Sequence, residues 1–578
     1  MDYFLIEVSY EIGNKVGGIW TVITSKAPYI DSNNYLGIGY FNPNESPVEF
    51  IEEEPPQEIS NAIADIDVDG IKFRYGTWIN ANKKVILIDS QAFKQKYVNK
   101  IKGDFWNLYK IDSLGAGDDY NDPLAWSYAA GILIEKLAKH IKKKIVVQVH
   151  EWLSGGAILY LKSINSKIPT VFTTHATVLG RAYSYAGNDI YKILNEEVND
   201  LELAYKYGVP AKHLTEKATA WNASVFTCVS DAVSREAKAL LKKSPDIVTV
   251  NGINIDYAPD FDEIEKMRAK AREKFKEFLS AYFLPYYKIN PNAPLILTSG
   301  RYEFLDKGYD IFIDALSELD KKLPSNFDVI AFIAVPSGTY GLKNDFVANY
   351  LSYKNLRSSI EEKVKEIGEE LETELSYGIE SSQAIYNKIV NDIRLFSKKL
   401  NKERNPPLCP FLLSYPEEND RILSYAKYRG LLNSENNRVK LIFYPKYLTF
   451  EDELLGLSYY QLLSLARVGV FLSRYEPFGY TPLEAMEYGT PAITTSNAGI
   501  SYYLIEKGLN GYGVYIQNLY DDRETLLNNI SNNLLRIVTM DDEHFEELRL
   551  QARASAEAFS WKDLINNYFK AYELALSK

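Results

Sequence analysis

Cysteine is almost missing from this chain: Cys228 and Cys409 are the only two in 578 residues, beside four methionines. Two thiols cannot staple a chain of this length, so a disulfide-framed fold is excluded. Also lacking is any apolar run of about 18 or more residues, the length that a membrane-spanning helix needs. The N-terminus opens on a strand-like pattern in place of a basic stretch and an apolar core, so the expected location is the cytoplasm. Positive charge is in deficit, with 65 Lys and Arg against 77 Asp and Glu and a net charge of -12. That balance repels nucleic acid and anionic membranes, and neither is expected as a partner. An anionic small molecule must then be met by a local cluster of Lys and Arg.

What is present is ample material for a core, since 46% of residues are hydrophobic and 25% are charged. The length exceeds what one core supports, so at least two domains are expected. Short apolar runs rich in β-formers alternate with helical patterns, and the alternation occurs twice. Tyr3 to Val8, Val85 to Ile88, Ile145 to Val149, Thr170 to Thr174 and Ser224 to Val229 read as strands of one half. Leu295 to Ser299, Asp328 to Val335, Val439 to Phe443, Val468 to Ser473 and Ala492 to Thr495 read as strands of the other. The pattern predicts an α/β protein with two doubly wound, Rossmann-like domains facing a cleft. The expected organisation is 1–255, a linker over 256–294, and a second domain over 295–555 carrying a helical insert at 343–400. A final helix over 556–578 is expected to cross back to the first domain.

In such sheets ligands bind beyond the carboxyl ends of strands, and chemistry-bearing motifs sit there. In SRYEPFGYTPLEAMEYGTPAITT, Ser473 to Thr495, a buried strand runs into a turn at Pro477 and Gly479. Thr481-Pro482 then predicts an N-cap with proline at the first helical position, and Gly489 and Pro491 stop the helix. Exposed N–H groups of that first turn can hold a phosphate, while Glu476 and Glu484 can accept hydrogen bonds from sugar hydroxyls. Glu484 has a second reading, because Thr481-x-x-Glu484 is also a capping box. Glu476 lies before a proline and outside the helix, where it has no structural duty.

Three more motifs follow strands of the first half. In IEVSYEIGNKVGGIWTV, Lys15, Gly17 and Gly18 precede a helix expected at Ile19 to Ala27, so one ammonium and several N–H groups can approach a diphosphate. HEWLSGG offers Glu151 to orient an acceptor hydroxyl or take its proton, against the plainer role of a helix-capping acid. VFTTHATVLGRAY offers His175, which can donate a hydrogen bond to a sugar hydroxyl, and Arg181. In the second half, LILTSGRYEFLDKGYDIFIDAL places Arg301 and Lys307 in a loop between a strand and an amphipathic helix. Arg supplies a planar fork for phosphate oxygens and Lys a mobile point charge; taken alone, the pair also reads as two solvated loop charges. The acidic run Asp65 to Asp69 reads as a surface turn, and no metal site is expected.

The motifs NKVGGI, HEWLSGG, TTHATVLGR, VFTCVSDAVSREAKALLKKSPDIVTVNGIN, GRYEFLDKG and YEPFGYTPLEA occur in one order from Asn14 to Ala485. In that order they resemble the glycogen synthases of the animal and fungal type, which are retaining glycosyltransferases of the GT-B fold. The resemblance spans roughly the whole chain and is thin between Thr339 and Pro410. It implies transfer of glucose from UDP-glucose to the non-reducing 4-hydroxyl of an α-1,4-glucan, with no cofactor. ADP-glucose, or the acceptors of other retaining enzymes of this architecture, are the alternatives. A non-catalytic glucan-binding subunit is a third reading, set against the retention of Arg301, Lys307 and Glu476.

Carried over by motif position, the resemblance implies that Lys15 and Gly18 help to hold the donor and that Arg181, Arg301 and Lys307 bind its diphosphate. The turn Gly479-Tyr480-Thr481 completes that cradle. Glu476 holds sugar hydroxyls, and Glu484 reaches the ribose or the sugar. Tyr459 stacks on the base, with Tyr447 as a second wall. Retention without an evident carboxylate nucleophile implies front-face attack, with His175 and Glu151 positioning the reactants. The family's regulatory arginine cluster is represented only by Arg549 and Arg553, and no Ser-rich tail follows, so a constitutively active form is expected. Within the insert, Ile360, Val364, Ile367 and Leu371 form a short apolar seam among Glu and Lys, and a homo-oligomer through these helices is expected.

Overall fold

The computed structural model describes residues 2–14, 17–44, 49–377, 404–452 and 454–578, together with positions 387, 390, 391 and 394. Two sheets dominate it. The first has nine strands: β1 (Tyr3–Val8), β2 (Tyr35–Tyr40), β3 (Phe50–Glu52), β4 (Lys72–Trp78), β5 (Lys83–Asp89), β6 (Lys144–His150), β7 (Thr170–Thr174), β8 (Val225–Cys228) and β9 (Ile247–Val248). Their order is β3-β4-β5-β2-β1-β6-β7-β8-β9. From β5 to β9 all neighbours are parallel. The expectation of a parallel sheet fails at one edge, where β3, β4 and β5 form an antiparallel meander. Strand β4, KFRYGTW, has an exposed charged start, which suits an edge with one wet face and left no continuous apolar run in the sequence.

The second sheet contains β10 (Leu295–Ser299), β11 (Val329–Ala334), β14 (Val439–Tyr444), β15 (Val468–Val470), β16 (Ala492–Thr495) and β17 (Val514–Gln517). It is wholly parallel in the order β14-β11-β10-β15-β16-β17. A separate hairpin pairs β12 (Thr339–Leu342) with β13 (Phe411–Leu413). β11 and β14 are buried along their full length, as strands covered by helices on both faces must be. Strand order reverses beside β1 and β6 in one sheet and beside β10 and β15 in the other. These switch points create the crevices that ligands of doubly wound sheets occupy.

The segment expected as a linker is mostly one helix, Phe261–Phe283, closed by a capping box between Asp260 and Glu263. It buries Ile264, Ala271, Phe275, Phe278, Leu279 and Tyr282 in the same core as β10 and β11, so this stretch belongs to the second unit's packing. Charged residues on its outer face gave it the composition of a linker. The C-terminal helix Trp561–Ser577 lies against β6, β7, β8 and β9 of the first sheet. There Trp561 Nε1 donates to Ser25 Oγ at 2.7 Å, and the Tyr572 hydroxyl donates to the Gln148 side chain. Of the expected insert, Asn344–Tyr377 is a single helix on which Val364 is 57% exposed. The side chains of Ile367 and Leu371, and most of 378–400, lie outside the described residues.

Candidate active site

The loop leaving β10 carries Arg301 and Lys307 and ends at Gly308, ahead of the helix Tyr309–Lys322. Beside it, the chain leaving β15 carries Glu476. Lys307 Nζ lies 2.5 Å from Glu476 Oε2, with the two side chains 12% and 19% exposed. Burial alone opposes ionisation of Glu476, but Lys307, with Arg301 and Arg181 behind it, more than offsets this and leaves the carboxyl below its usual range. Arg301 is 64% exposed and pairs with Glu303 at 3.1 Å. The two cations placed together from sequence therefore differ: Lys307 is fixed on an acid, whereas Arg301 reaches towards solvent.

The helix after Glu476 spans Tyr480–Glu487, and its N-cap is Gly479 at φ +113°. That corrects the expected start at Thr481-Pro482. A left-handed backbone at Gly479, which a side chain would strain, lets the helix begin earlier, so Thr481 is the second helical residue and no side chain caps it. The Thr481–Glu484 capping box is accordingly absent. Glu484 instead faces Tyr459, whose phenol is raised well above its usual range by burial and then by the Glu484 carboxylate. Tyr459 also lies 3.2 Å from Ser299 Oγ at the end of β10. Tyr480 turns its hydroxyl to the Gly252 carbonyl of the first unit at 3.3 Å, so its side chain ties the two units. Tyr447, after the outer strand β14, is 80% exposed and makes no ring contact among the described residues.

Opposite this half stand the ends of β1, β6 and β7. Lys15 lies outside the described residues. Gly18 opens the helix Gly18–Lys26, and a Cβ there would meet nothing within 4 Å. The N–H groups that the sequence offered to a phosphate are engaged by Glu11, whose carboxylate accepts from Trp20 N at 2.7 Å and also from Gly17 and Ile19. Glu151 starts the helix after β6 with φ +63°, a left-handed conformation that costs a non-glycine residue about 1 kcal/mol or more. Its Oε1 accepts from His175 N at 2.8 Å and Ala176 N at 3.0 Å, so it joins β6 to β7 and does not cap its own helix. Burial pushes this carboxyl up to about 7 against the pull of Arg181 and those two N–H groups. Arg181, on the helix Val178–Tyr185, is exposed to the cleft, and although desolvation works against its charge, Tyr475, Glu151, Glu303 and Glu476 around it outweigh that and hold the guanidinium above its usual range.

Glu151, Arg181, Arg301, Glu303 and Tyr475 thus line one cleft of roughly 500 Å³ between the sheets, which Trp152, Tyr185 and Tyr207 extend outward. Behind it lies a chain of groups that leads to His175. Lys26 Nζ is 2.5 Å from Glu7 Oε1, Glu7 Oε1 is 2.7 Å from His150 Nε2, and His150 Nδ1 is 2.9 Å from His175 Nε2. A second group of acids, Glu216 and Glu236, is fully buried. Glu236 accepts from the hydroxyls of Thr177 at 2.6 Å, Tyr475 at 3.2 Å and Tyr191 at 3.3 Å. Of these residues the sequence singled out His175, and His150 stands first in the HEWLSGG motif; the others are spread along helices and strands with no local pattern. Among the described residues, no group of three or more His, Cys, Asp or Glu side chains is arranged to hold a metal ion.

With two sheets, two switch points and a cleft lined by charged groups of both signs between them, the architecture is that of the GT-B glycosyltransferases. Residues 7–578 match the family described as glycogen synthase. The chain belongs to the glycogen synthase family. It is 31% identical to the glycogen [starch] synthase of Neurospora crassa over 601 residues, covering 100% of this chain and 84% of that protein. Isoform 2 of Saccharomyces cerevisiae is 30% identical, covering 100% of this chain and 86% of that protein, and the mouse liver enzyme is 29% identical with 100% and 84% covered. Among solved structures, the catalytic domain of starch synthase IV from Arabidopsis thaliana superposes with a TM-score of 0.53 at 15% identity, covering 100% of both chains. Membership makes the chain a glycosyltransferase.

Proposed function

We propose that this enzyme transfers glucose from UDP-glucose, with retention, to the non-reducing 4-hydroxyl of an α-1,4-glucan. The observation that carries the reading is the Lys307–Glu476 pair, 2.5 Å apart on the same half as Arg301, with Arg181 and Glu151 lining the cleft from the other half. As the bond between glucose C1 and the diphosphate oxygen breaks, negative charge grows on the leaving group. Arg301 and Lys307 stabilise it, with Arg181 from the other side, and this supplies the largest catalytic contribution. Because three cations meet the diphosphate, no metal or other cofactor is assigned a step. Glu476 orients the sugar hydroxyls while Lys307 bridges it to the phosphate. The acceptor hydroxyl attacks from the face the leaving group vacates, its proton passes to the departing phosphate oxygen, and the C1–O4 bond forms on the same side. Glu151, held in a strained backbone, positions that acceptor.

Tyr459 and Glu484 form the base and ribose end of the donor site, with Tyr447 able to close over the base from its exposed loop. Stacking accepts any base, so the uridine preference rests on membership of the family. Trp152, Tyr185 and Tyr207 supply the flat apolar surfaces on which glucan rings pack. Arg549 and Arg553 support constitutive activity: Arg549 is buried on Glu265 and Glu546, and Arg553 donates to the carbonyls of Glu487 and Pro259. Arg549, 1% exposed, is out of reach of a sugar phosphate, and Arg553 is committed to backbone carbonyls. Self-association through the Asn344–Tyr377 helix is supported by exposed Leu351 and Val364, and light scattering on a deletion of the insert tests it. No helix among the described residues is long and apolar enough to cross a membrane, and a cytoplasmic location is part of the proposal. The deciding experiment is radiolabelled transfer from UDP-glucose and ADP-glucose to glycogen, maltooligosaccharides and glucose. Product with UDP-glucose and glycogen is expected; transfer from ADP-glucose alone, or to glucose alone, overturns the reading.

A further inference from the structure

His175 was expected to donate a hydrogen bond to a sugar hydroxyl, yet the groups behind it dictate the opposite polarity. The chain starts at Lys26 and Glu7, both 0% exposed and 2.5 Å apart. Glu7 accepts a further hydrogen bond from the Tyr35 hydroxyl at 2.9 Å. Despite complete burial, Lys26 and His150 hold its carboxyl down to about 2, so it is a carboxylate and can only accept. His150 Nε2, 2.7 Å away, must therefore carry the proton. Burial and the neighbouring Lys26 charge disfavour a cationic His150, so its Nδ1 is a bare lone pair. His175 Nε2 lies 2.9 Å from that lone pair. Two bare nitrogens at this distance would repel, so His175 Nε2 carries a proton and donates it. A second proton on His175 is disfavoured by burial, with the charges of Lys26 and Arg181 adding to it.

The geometry points to Glu7 and His150 as positioning residues that lock His175 in the tautomer with a bare Nδ1, so that His175 accepts a hydrogen bond from a substrate hydroxyl. Nδ1 has no hydrogen-bond partner among the described residues, and His175 alone of the four retains partial exposure, at the carboxyl end of β7. Lys26 closes the far end of the chain: without its charge Glu7 would take up a proton, and the direction of every hydrogen bond could reverse. The contact to a sugar rests on the proposed glucosyl transfer. The tautomer does not, since it follows from groups within the chain.

Three measurements test it, the first without substrate. The chain has five histidines, so nitrogen-15 labelling of histidine gives a small set of ring signals, with that of His175 identified by its loss in His175→Asn. A neutral ring with protonated Nε2 and bare Nδ1 is expected; a cationic ring or a protonated Nδ1 overturns the assignment even if the glucosyl-transfer reading stands. Second, His150→Gln retains both an acceptor for His175 and a donor for Glu7, whereas His150→Leu retains neither. His150→Gln is expected to keep kcat within about threefold and His150→Leu to lower it about tenfold or more, the cost of one misdirected buried hydrogen bond. Equal effects of the two overturn the positioning role. Third, a set of deoxyfluoro nucleotide glucoses removes one donor hydroxyl at a time, since fluorine accepts weakly and cannot donate. One position is expected to lose about tenfold in kcat/KM in the parent and not in His175→Ala. An unchanged pattern in that variant removes His175 from sugar contact, and loss of all transfer from the parent counts against the glucosyl reading and not against the tautomer.

Discussion

The Tyr475 hydroxyl donates to Glu236 Oε2 at 3.2 Å across the cleft, and the next residue in the chain is Glu476. One residue beyond Glu476, the Pro477 carbonyl accepts from Ser230 Oγ at 2.5 Å. Glu476 is thus tethered to the opposite unit on both sides. A buried hydrogen bond of this kind contributes about 1 kcal/mol. Tyr475→Phe is expected to favour the opened cleft, raising KM for the nucleotide sugar about fivefold at that energy. Small-angle scattering of the two proteins checks it through a larger radius of gyration, and identical curves with unchanged KM refute the tether.

Lys307→Ala and Arg301→Ala are each expected to lower kcat/KM at least about tenfold, or roughly 1.4 kcal/mol of transition-state stabilisation. Lys307→Ala should be the more severe, because it also strips Glu476 of its closest cation while Arg301 stands in solvent. Purified variants assayed with nucleotide sugar and glycogen decide the matter; rates near the parent's remove either cation from the mechanism.

Tyr185, 76% exposed at the mouth of the cleft, holds no structural load, so Tyr185→Ala should fold normally. Loss of one stacking surface, about 0.5–1.5 kcal/mol, predicts a rise of roughly two- to tenfold in KM for maltooligosaccharides. KM for the nucleotide sugar is expected to stay put. Initial-rate kinetics with each substrate varied in turn separate the two.

Three buried acids predict an alkaline loss of stability. Burial raises Glu216 to about 8, with Glu151 as its charged neighbour, and raises Glu151 and Glu236 to about 7 each. An acid whose folded pKa lies above its unfolded value of about 4.5 contributes stability that is complete below that value and lost as pH rises through the folded pKa. The folded form then binds more protons than the unfolded form between about pH 4.5 and 8, and stability falls with pH across that window. Glu216 Oε2 accepts from Val178 N at 2.8 Å and Oε1 accepts from the Thr174 hydroxyl at 2.6 Å; an amide keeps the first contact with its oxygen and donates its N–H to the Thr174 hydroxyl in place of the second. Glu216→Gln should flatten the decline. Urea unfolding at several pH values between 5 and 8.5 checks this, and parallel curves for the two proteins argue against it.

Much of the fold was legible because buried parallel strands are written as unbroken apolar runs: β1, β6, β7, β10, β11 and β14 all carry one. Strand β2, YLGIGY, escaped because two glycines interrupt it, and β4 because its charged start and glycine read as a loop. The helix start after Glu476 was misplaced for a local reason. Thr481-Pro482 is strong capping chemistry, but Gly479 adopts a conformation that local propensity does not report, and it moves the cap.

The sequence by itself determined which side chains of each strand end are available: Glu151, His175, Arg181, Arg301, Lys307 and Glu476 all follow strands, where parallel sheets expose chemistry. Only the tertiary structure decided what each can do. Lys307 finds Glu476 across 169 residues, Glu7 finds His150 across 143, and Tyr475 finds Glu236 across 239. Charge state, tautomer and tether depend on partners brought within about 3 Å and shielded from water, where an electrostatic interaction is several times stronger than in solvent. No periodicity or motif records which distant residue that partner will be.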